Sequence, residues 1–189
     1  MDAAFSPIPE LNLLKDFEDA MDGAWFSEGF ELYKYKGPDP ELLSAWLGLK
    51  APLSRREQAR VDRIIPFAQA TGTGSFYALW RCDDRKDLST LPVVFFGDEG
   101  DLDVVADGLR ELFQLLTLDN EWLIIDDDRD GDDEEPSEGR EEYLEWLERT
   151  FGLGEPEDPD AIMDAASEAY GQDFADWLQE ISPYPVELS

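Results

Sequence analysis

Three aspartates, Asp126, Asp128 and Asp130, stand at alternate positions directly before Gly131. Alternate carboxylates followed by glycine are how a calcium-binding loop begins, because the side-chain oxygens ligate the cation and glycine allows the sharp turn. The twelfth position of such a loop carries a glutamate that binds the cation with both oxygens, and here that position is Ser137. We therefore keep calcium binding as an alternative to a solvated acidic loop.

The other residue types that usually perform catalysis are scarce. The sequence contains no histidine and one cysteine, Cys82. Without histidine the chain has no imidazole base, proton shuttle or metal ligand, and one cysteine forms neither an internal disulfide nor a thiolate cluster. Among the carboxylates, Glu99 lies in the turn Gly97–Gly100 after an apolar stretch, and we interpret it as fixing that turn. We expect no catalytic residues, no enzymatic activity and no cofactor.

The charge is unevenly distributed along the chain. Of 189 residues, 46 are acidic and 15 basic, which gives a formal net charge of −31. This surplus repels nucleic-acid backbones and anionic lipid surfaces, so we expect neither direct nucleic-acid binding nor membrane binding. Residues 1–86 hold 14 acidic and 11 basic residues, whereas residues 87–189 hold 32 and 4. A generally acidic proteome stays an alternative, but it would acidify both halves alike, and the asymmetry favours a binding face for a basic protein.

The acidic face is predicted in residues 126–135, where eight of the ten residues are acidic. Neighbouring carboxylates repel each other and no apolar residue anchors them, so we expect a solvated loop. On charge alone, the residues predicted to bind the partner are Asp126, Asp127, Asp128, Asp130, Asp132, Asp133, Glu134 and Glu135.

Two further features have plain structural interpretations. The only basic cluster is expected to pair with acidic groups of the protein, since it is too small for a nucleic-acid footprint on so acidic a chain. It consists of Arg55, Arg56, Arg60 and Arg63. The segment Thr71–Ser75 has two glycines but no following lysine, so we interpret it as a turn and not as a phosphate loop.

Trp25 lies outside any apolar stripe and is expected to be exposed.

Hydrophobic periodicity predicts helices before a small central sheet. Helices are expected at Pro9–Met21, from Pro40 to Leu47, and after Ser54, which has the capping-box pattern with Glu57. Stretches typical of strands follow at Ile64–Ala70, Ser75–Arg81, Leu91–Phe96 and Leu102–Val105. The prediction is an α+β fold with a small, mainly antiparallel sheet flanked by helices.

Helical periodicity resumes at Ala106 and returns in the C-terminal third of the chain. Ser137 is predicted to cap a helix over Glu138–Thr150. Asp158 is predicted to cap the next, which ends at Tyr170–Gly171, and a last helix is stopped by Pro183.

Three stretches between residues 67 and 112 form a recognisable series. Phe67–Trp80 has a glycine-rich turn and a strand that ends in an aromatic residue, Leu91–Gly100 has a Pro-Val-Val strand and a Gly-x-Glu-Gly turn, and Val104–Leu112 enters an amphipathic helix. This series resembles the core of the SUKH superfamily, which includes Smi/Knr-type fungal cell-wall regulators and bacterial immunity proteins. The residues that carry the resemblance are Gly72, Gly74, Trp80, Pro92, Gly97, Glu99 and Gly100.

The resemblance implies a SUKH-type α+β fold with a C-terminal helical extension and no enzymatic activity. It also implies that a bacterial member binds a cognate toxin, often a nuclease, and neutralises it. We accordingly divide the chain into a core over residues 1–125, an acidic loop over 126–138, and a helical extension over 139–189 packed on the same domain.

The leading hypothesis is a cytoplasmic immunity protein that masks a basic toxin. The cytoplasmic expectation rests on an N-terminus without a basic start or an apolar signal core. A regulatory scaffold of the Smi/Knr kind and a calcium-binding protein are the alternatives.

Overall fold

The structure is a computed structural model, and it describes residues 4–34, 41–120, 135–186 and 188. Within these residues one antiparallel sheet is formed by β1 (Glu31–Leu32), β2 (Ile64–Gln69), β3 (Phe76–Trp80), β4 (Val93–Phe96) and β5 (Leu102–Ala106). Each strand pairs with its neighbour in the sequence, from β1 at one edge to β5 at the other. The predicted α+β fold with a small antiparallel sheet is confirmed.

The central strands are buried on both faces. Every residue of β3 and β4 is buried, as the continuous apolar run in β4 predicted. Because successive side chains of a strand point to opposite faces, Tyr77 and Leu79 enter one hydrophobic core while Phe76 and Trp80 enter a second. The sheet is therefore the middle of three layers.

Helices cover both faces of the sheet. They are α1 (Pro9–Ala20), α2 (Leu42–Trp46), α3 (Arg55–Val61), α4 (Leu109–Leu115), α5 (Arg140–Phe151), α6 (Pro159–Ala166) and α7 (Gln172–Gln179), with 3₁₀ turns at Leu88–Thr90 and Leu116–Leu118. Buried residues of α1, α4 and α5 belong to the core of Tyr77, and those of α2, α6 and α7 to the core of Trp80. No helix of the described ranges is both long and apolar enough to cross a lipid bilayer.

Two of the three predicted helix caps are confirmed. The Glu57 amide donates to the Ser54 hydroxyl at 3.2 Å and the Ser54 amide donates to the Glu57 carboxylate at 2.6 Å, which completes the capping box of α3. The Ala161 amide donates to Asp158 at 3.1 Å at the start of α6. The Ser137 cap was wrong: α5 begins at Arg140 after Gly139, because the Ser137 side chain is bonded elsewhere.

Two predicted helix boundaries were also wrong. α4 begins at Leu109 and not at Ala106, because Ala106 still pairs with Val93 in the sheet. The helix expected to end at Tyr170–Gly171 instead continues into α7 through a π-helical turn, Ser167–Gly171. Gly171 has right-handed helical angles and is buried, and a Cβ there would lie 2.7 Å from Leu188 Cδ1. The glycine therefore makes room for the C-terminal tail and does not stop the helix.

Candidate partner-binding surface

Most of the acidic segment predicted to bind a partner lies outside the described residues. Asp126, Asp127, Asp128, Asp130, Asp132, Asp133 and Glu134 are outside them, and with them the calcium candidates Asp126, Asp128 and Asp130. Glu135 is described and exposed. Among the described side chains, none form a group of three or more potential metal ligands. The surface that flanks the segment consists of described residues.

Asp119 joins the two ends of the stretch that contains the acidic segment. Its backbone has a left-handed conformation with φ of 52°, which aspartate adopts more readily than most residues. Its carboxylate accepts hydrogen bonds from the Glu28 amide at 2.7 Å, the Ser137 hydroxyl at 2.6 Å and the Ser137 amide at 2.5 Å. Residues 119 and 137 are thereby fixed side by side, beside the loop that holds Glu28.

An exposed tryptophan lies at the same place. The Gly139 amide donates to the Trp25 carbonyl at 2.7 Å, and a Cβ at position 139 would lie 2.9 Å from that oxygen and 2.3 Å from Met21 Cε. Glycine is therefore required for the close approach of the two chain segments. Trp25 keeps 49% of its surface exposed, which confirms the expectation from its sequence context.

The exposed face of α5 and of the turn before it is a continuous row of glutamates, which we call the acidic stripe. Its members are Glu138, Glu141, Glu142, Glu145 and Glu148, all exposed. Positions three and four apart share one helix face, so the row runs along the whole helix. Within the described part of the chain, none of these carboxylates lies within 4 Å of a lysine or arginine nitrogen.

The opposite face of α5 holds the helix in place. Tyr143, Trp146 and Leu147 are buried, and the Tyr143 hydroxyl donates to the Phe113 carbonyl at 2.9 Å. The Tyr143 ring stacks on Phe26 with a centroid distance of 4.6 Å. Like charges three or four residues apart each cost about 0.2–0.5 kcal/mol. The aromatic core offsets this repulsion, so the stripe keeps its charge without unfolding the helix.

Comparisons of the chain with protein-family models, curated proteins and solved structures found no match. The SUKH resemblance of residues 67–112 therefore stays a prediction.

The two turns of the SUKH-like series contact each other at one end of the sheet. The Ser75 hydroxyl donates to the Asp98 carboxylate at 2.9 Å and accepts from the Asp98 amide at 3.1 Å. Gly74 and Gly100 have φ values of +123° and +105°, which only glycine adopts without strain. The glycines predicted to form turns thus do so, with Gly72 in the first of them.

The other residues of the series have different roles. The Trp80 amide donates to the Pro92 carbonyl at 3.0 Å, next to the pairing of β3 with β4. A Cβ at Gly97 would lie 2.9 Å from Asp101 Cβ, so this tight turn requires glycine. The expectation that Glu99 fixes the turn was wrong, because Glu99 is exposed and its neighbour Asp98 makes the fixing bonds.

Three of the four arginines in the cluster pair with acidic groups of the protein, as expected. Arg56 and Arg60 both contact the Glu180 carboxylate beyond α7, and the hydrogen bond from Arg56 is the main cause of a lowered Glu180 pKa. Arg63 contacts Asp84 at 3.3 Å. These cations neutralise carboxylates of the C-terminal helices and of the β3–β4 loop, in contrast to the uncompensated acidic stripe.

Asp103 is a half-buried carboxyl group on β5. Burial is the main cause of a raised pKa at Asp103, and the nearby Asp164 adds to it. The Val104 amide donates to the Asp103 carboxylate at 2.7 Å, and a hydrogen bond with the Ser167 side chain acts in the opposite direction. Asp103 therefore connects β5 with the π-helical turn, which is a structural role.

Proposed function

We propose that the protein is a non-catalytic, cytoplasmic binding protein of the immunity type, which neutralises a basic, nuclease-type toxin by covering it. The acidic stripe on α5 is the observation that carries the proposal. It presents exposed carboxylates, with no lysine or arginine partner among the residues that the structure describes, on a helix that is anchored by a buried aromatic face. The neighbouring residues 126–135 add eight further acidic groups.

Electrostatics explains why such a surface suits this target. A protein that binds nucleic acid carries cations arranged to hold phosphates, and rows of carboxylates are complementary to them. Long-range attraction between opposite charges also raises the association rate, by factors of about 10 to 1,000. An inhibitor that must meet its toxin before the toxin meets nucleic acid gains from both effects.

Trp25 adds an exposed aromatic side chain to the acidic surface. Binding energy concentrates in a few well-positioned aromatic or arginine residues, with charged groups around them. Trp25 is half exposed, and its backbone is fixed to Gly139 at the start of the acidic stripe. We assign it the role of apolar anchor within the acidic surface.

The SUKH resemblance supports the same function. The antiparallel sheet flanked by helices agrees with the α+β fold that the resemblance implies. The absence of histidine from the sequence supports a role without catalysis.

The deciding experiment is affinity capture from the native lysate, with washes at low and high salt. We expect one basic protein at equal stoichiometry, released by salt, whose toxic activity is abolished by an equimolar amount of the wild-type protein. The variant E141Q/E142Q/E145Q should bind this partner at least tenfold more weakly. A matched triple variant with the same charge change at exposed positions outside α5, E157Q/E168Q/D173N, should bind as wild type. No basic partner, or equal loss in both triple variants, would contradict the proposal.

A further inference from the structure

A cleft of about 400 Å³ lies between three separate parts of the chain. One side is the turn at Asp98–Gly100, the second is α2 with Trp46, and the third is the tail around Tyr184. The cleft thus combines two carboxylates with two aromatic rings. Asp98 and the two rings are held in place by contacts outside the cleft, and Glu99 is exposed on the same turn as Asp98.

The carboxylate side is a rigid turn. The Gly97 amide donates to the Asp101 carbonyl at 2.7 Å, and the Gly100 amide donates to the Gly97 carbonyl at 3.1 Å. Asp98 is bonded through both its amide and its carboxylate to the buried Ser75. Glu99 extends from the same turn with its side chain exposed, so its charge is available to a ligand.

The aromatic sides are equally fixed. The Trp46 indole donates to the Gly97 carbonyl at 2.6 Å, and its ring meets Phe96 edge to face at 4.9 Å. Tyr184 is 64% exposed, yet its ring lies so close to Gly48 that a Cβ there would be 2.6 Å from Tyr184 Cε2.

The backbone around Tyr184 is tied to α7. The Tyr184 carbonyl accepts from the Gln179 side chain at 3.0 Å and from the Ser182 hydroxyl at 2.9 Å. The Val186 amide donates to the Gln179 side chain at 3.0 Å. A large aromatic side chain is thus held in an exposed position, which is the arrangement of a binding surface and not of a loose tail.

The protein already binds a guanidinium group with the same combination of groups elsewhere. Arg60 lies 4.9 Å from the centre of the Trp177 ring and contacts the Glu180 carboxylate. An aromatic face and a carboxylate together satisfy both the flat surface and the charge of a guanidinium. The cleft offers two rings and two carboxylates, and none of the described cations is paired with Asp98 or Glu99.

We infer that this cleft binds an arginine side chain presented by the basic partner protein. The inference rests on the proposed function, because the partner supplies the arginine. Arginine fits better than lysine, since a planar guanidinium stacks on Trp46 or Tyr184 and donates two hydrogen bonds to one carboxylate. An anionic ligand is excluded by repulsion from Asp98 and Glu99. The cleft thus gives the complex a specific contact in addition to the diffuse attraction of the acidic stripe.

The test uses N-acetyl-arginine amide as a probe, followed by nuclear magnetic resonance of the full chain. We expect saturable shifts of the Trp46 indole signal and of the amides of residues 97–102. The neutral isostere N-acetyl-citrulline amide should bind at least tenfold more weakly. E99Q should weaken binding of the arginine probe by about three- to tenfold, because one charged acceptor is lost. The matched variant E157Q, which removes an exposed charge elsewhere, should bind as wild type.

Three outcomes would overturn the inference: equal shifts with both probes, equal binding by E99Q and E157Q, or arginine shifts confined to α5. If E99Q perturbs the turn, the variant Y184L provides a second test, because it should also weaken binding of the arginine probe. The test does not depend on the captured partner. A saturating probe without any basic partner in the lysate contradicts the proposed function alone, whereas a captured partner without probe binding contradicts the cleft alone.

Discussion

The carboxylate of Asp119 binds both the amide and the hydroxyl of Ser137, 18 positions later in the chain. The third hydrogen bond of this carboxylate comes from the Glu28 amide. One side chain therefore brings residues 119 and 137 together with the loop beside Trp25, and the acidic stripe begins at the next residue, Glu138.

Replacing Asp119 by alanine should destabilise the protein by about 1–3 kcal/mol, because the Ser137 and Glu28 amides lose their acceptor. Asp22 provides the matched control, since it is an exposed aspartate with the same φ of 52°. Both variants place alanine in a left-handed conformation, and only D119A removes the three hydrogen bonds. Chemical unfolding of both variants measures the difference. Equal losses would show that the hydrogen bonds of Asp119 contribute nothing.

Neutralising the C-terminal part of the acidic stripe should stabilise the free protein. In E145Q/E148Q, repulsion along α5 falls and two anions are removed from the half of the helix whose dipole is negative, so the free energy of unfolding should rise by about 0.5–1 kcal/mol at low salt. In E141Q/E142Q the gain should be smaller, because acidic residues in a first turn favour the helix. Thermal unfolding at low salt and at 1 M salt measures both. A gain that persists at high salt would contradict the electrostatic origin.

The raised pKa of Asp103 predicts a pH-dependent effect of D103N. The folded state favours the protonated carboxyl, so the contribution of Asp103 to stability is largest below the ordinary pKa of 3.8 and is lost as pH rises through the higher pKa of the folded state. Asparagine mimics the protonated form and keeps the oxygen that accepts from Val104. D103N should therefore be more stable than wild type at neutral pH, and this advantage should disappear towards pH 3. Unfolding curves across this range give the comparison, and an advantage that grows on acidification would refute it.

Tyr143 offers a test of how α5 is anchored. Y143F removes the hydroxyl that donates to the Phe113 carbonyl but keeps the buried ring, so we expect a loss of about 1–2 kcal/mol. Y184F removes a hydroxyl from an exposed tyrosine and should change stability by less than about 0.5 kcal/mol. Chemical denaturation compares the two variants. Similar values for both would mean that the buried hydrogen bond is not a significant anchor.

Strands β2 to β5 and most of the helices could be predicted because their patterns are local, whereas the two-residue strand β1 was not predicted. The apolar run of β4, the capping box at Ser54 and the Asp158–Pro159 pair each depend on residues close in the sequence. The Ser137 cap failed because a distant residue, Asp119, competes for the same side chain. The prediction that Glu99 fixes its turn was wrong for a related reason. The neighbouring residue Asp98 makes the hydrogen bonds to Ser75, which is distant in the sequence.

The candidate site was only partly accessible from the sequence. Charge density predicts an acidic surface at residues 126–135. The helical periodicity that buries Tyr143, Trp146 and Leu147 on one face of α5 also places the glutamates on the other face, so the sequence contains a signal for the acidic stripe. The arginine cleft, in contrast, combines residues near positions 46, 98 and 184, and no sequence pattern connects them.

The helices α5, α6 and α7, which complete the layers on both faces of the sheet, come last in the sequence, and this affects folding during synthesis on the ribosome. All five strands precede residue 107, but Phe174 covers Trp80 at 5.0 Å and Phe96 at 6.3 Å, and Tyr143 contacts Phe17 at 5.7 Å. A nascent chain that ends before α5 therefore lacks the helices that complete both aromatic cores, so part of each core is exposed to water and to other chains. We expect this intermediate to aggregate more readily than the full chain until the C-terminal helices emerge.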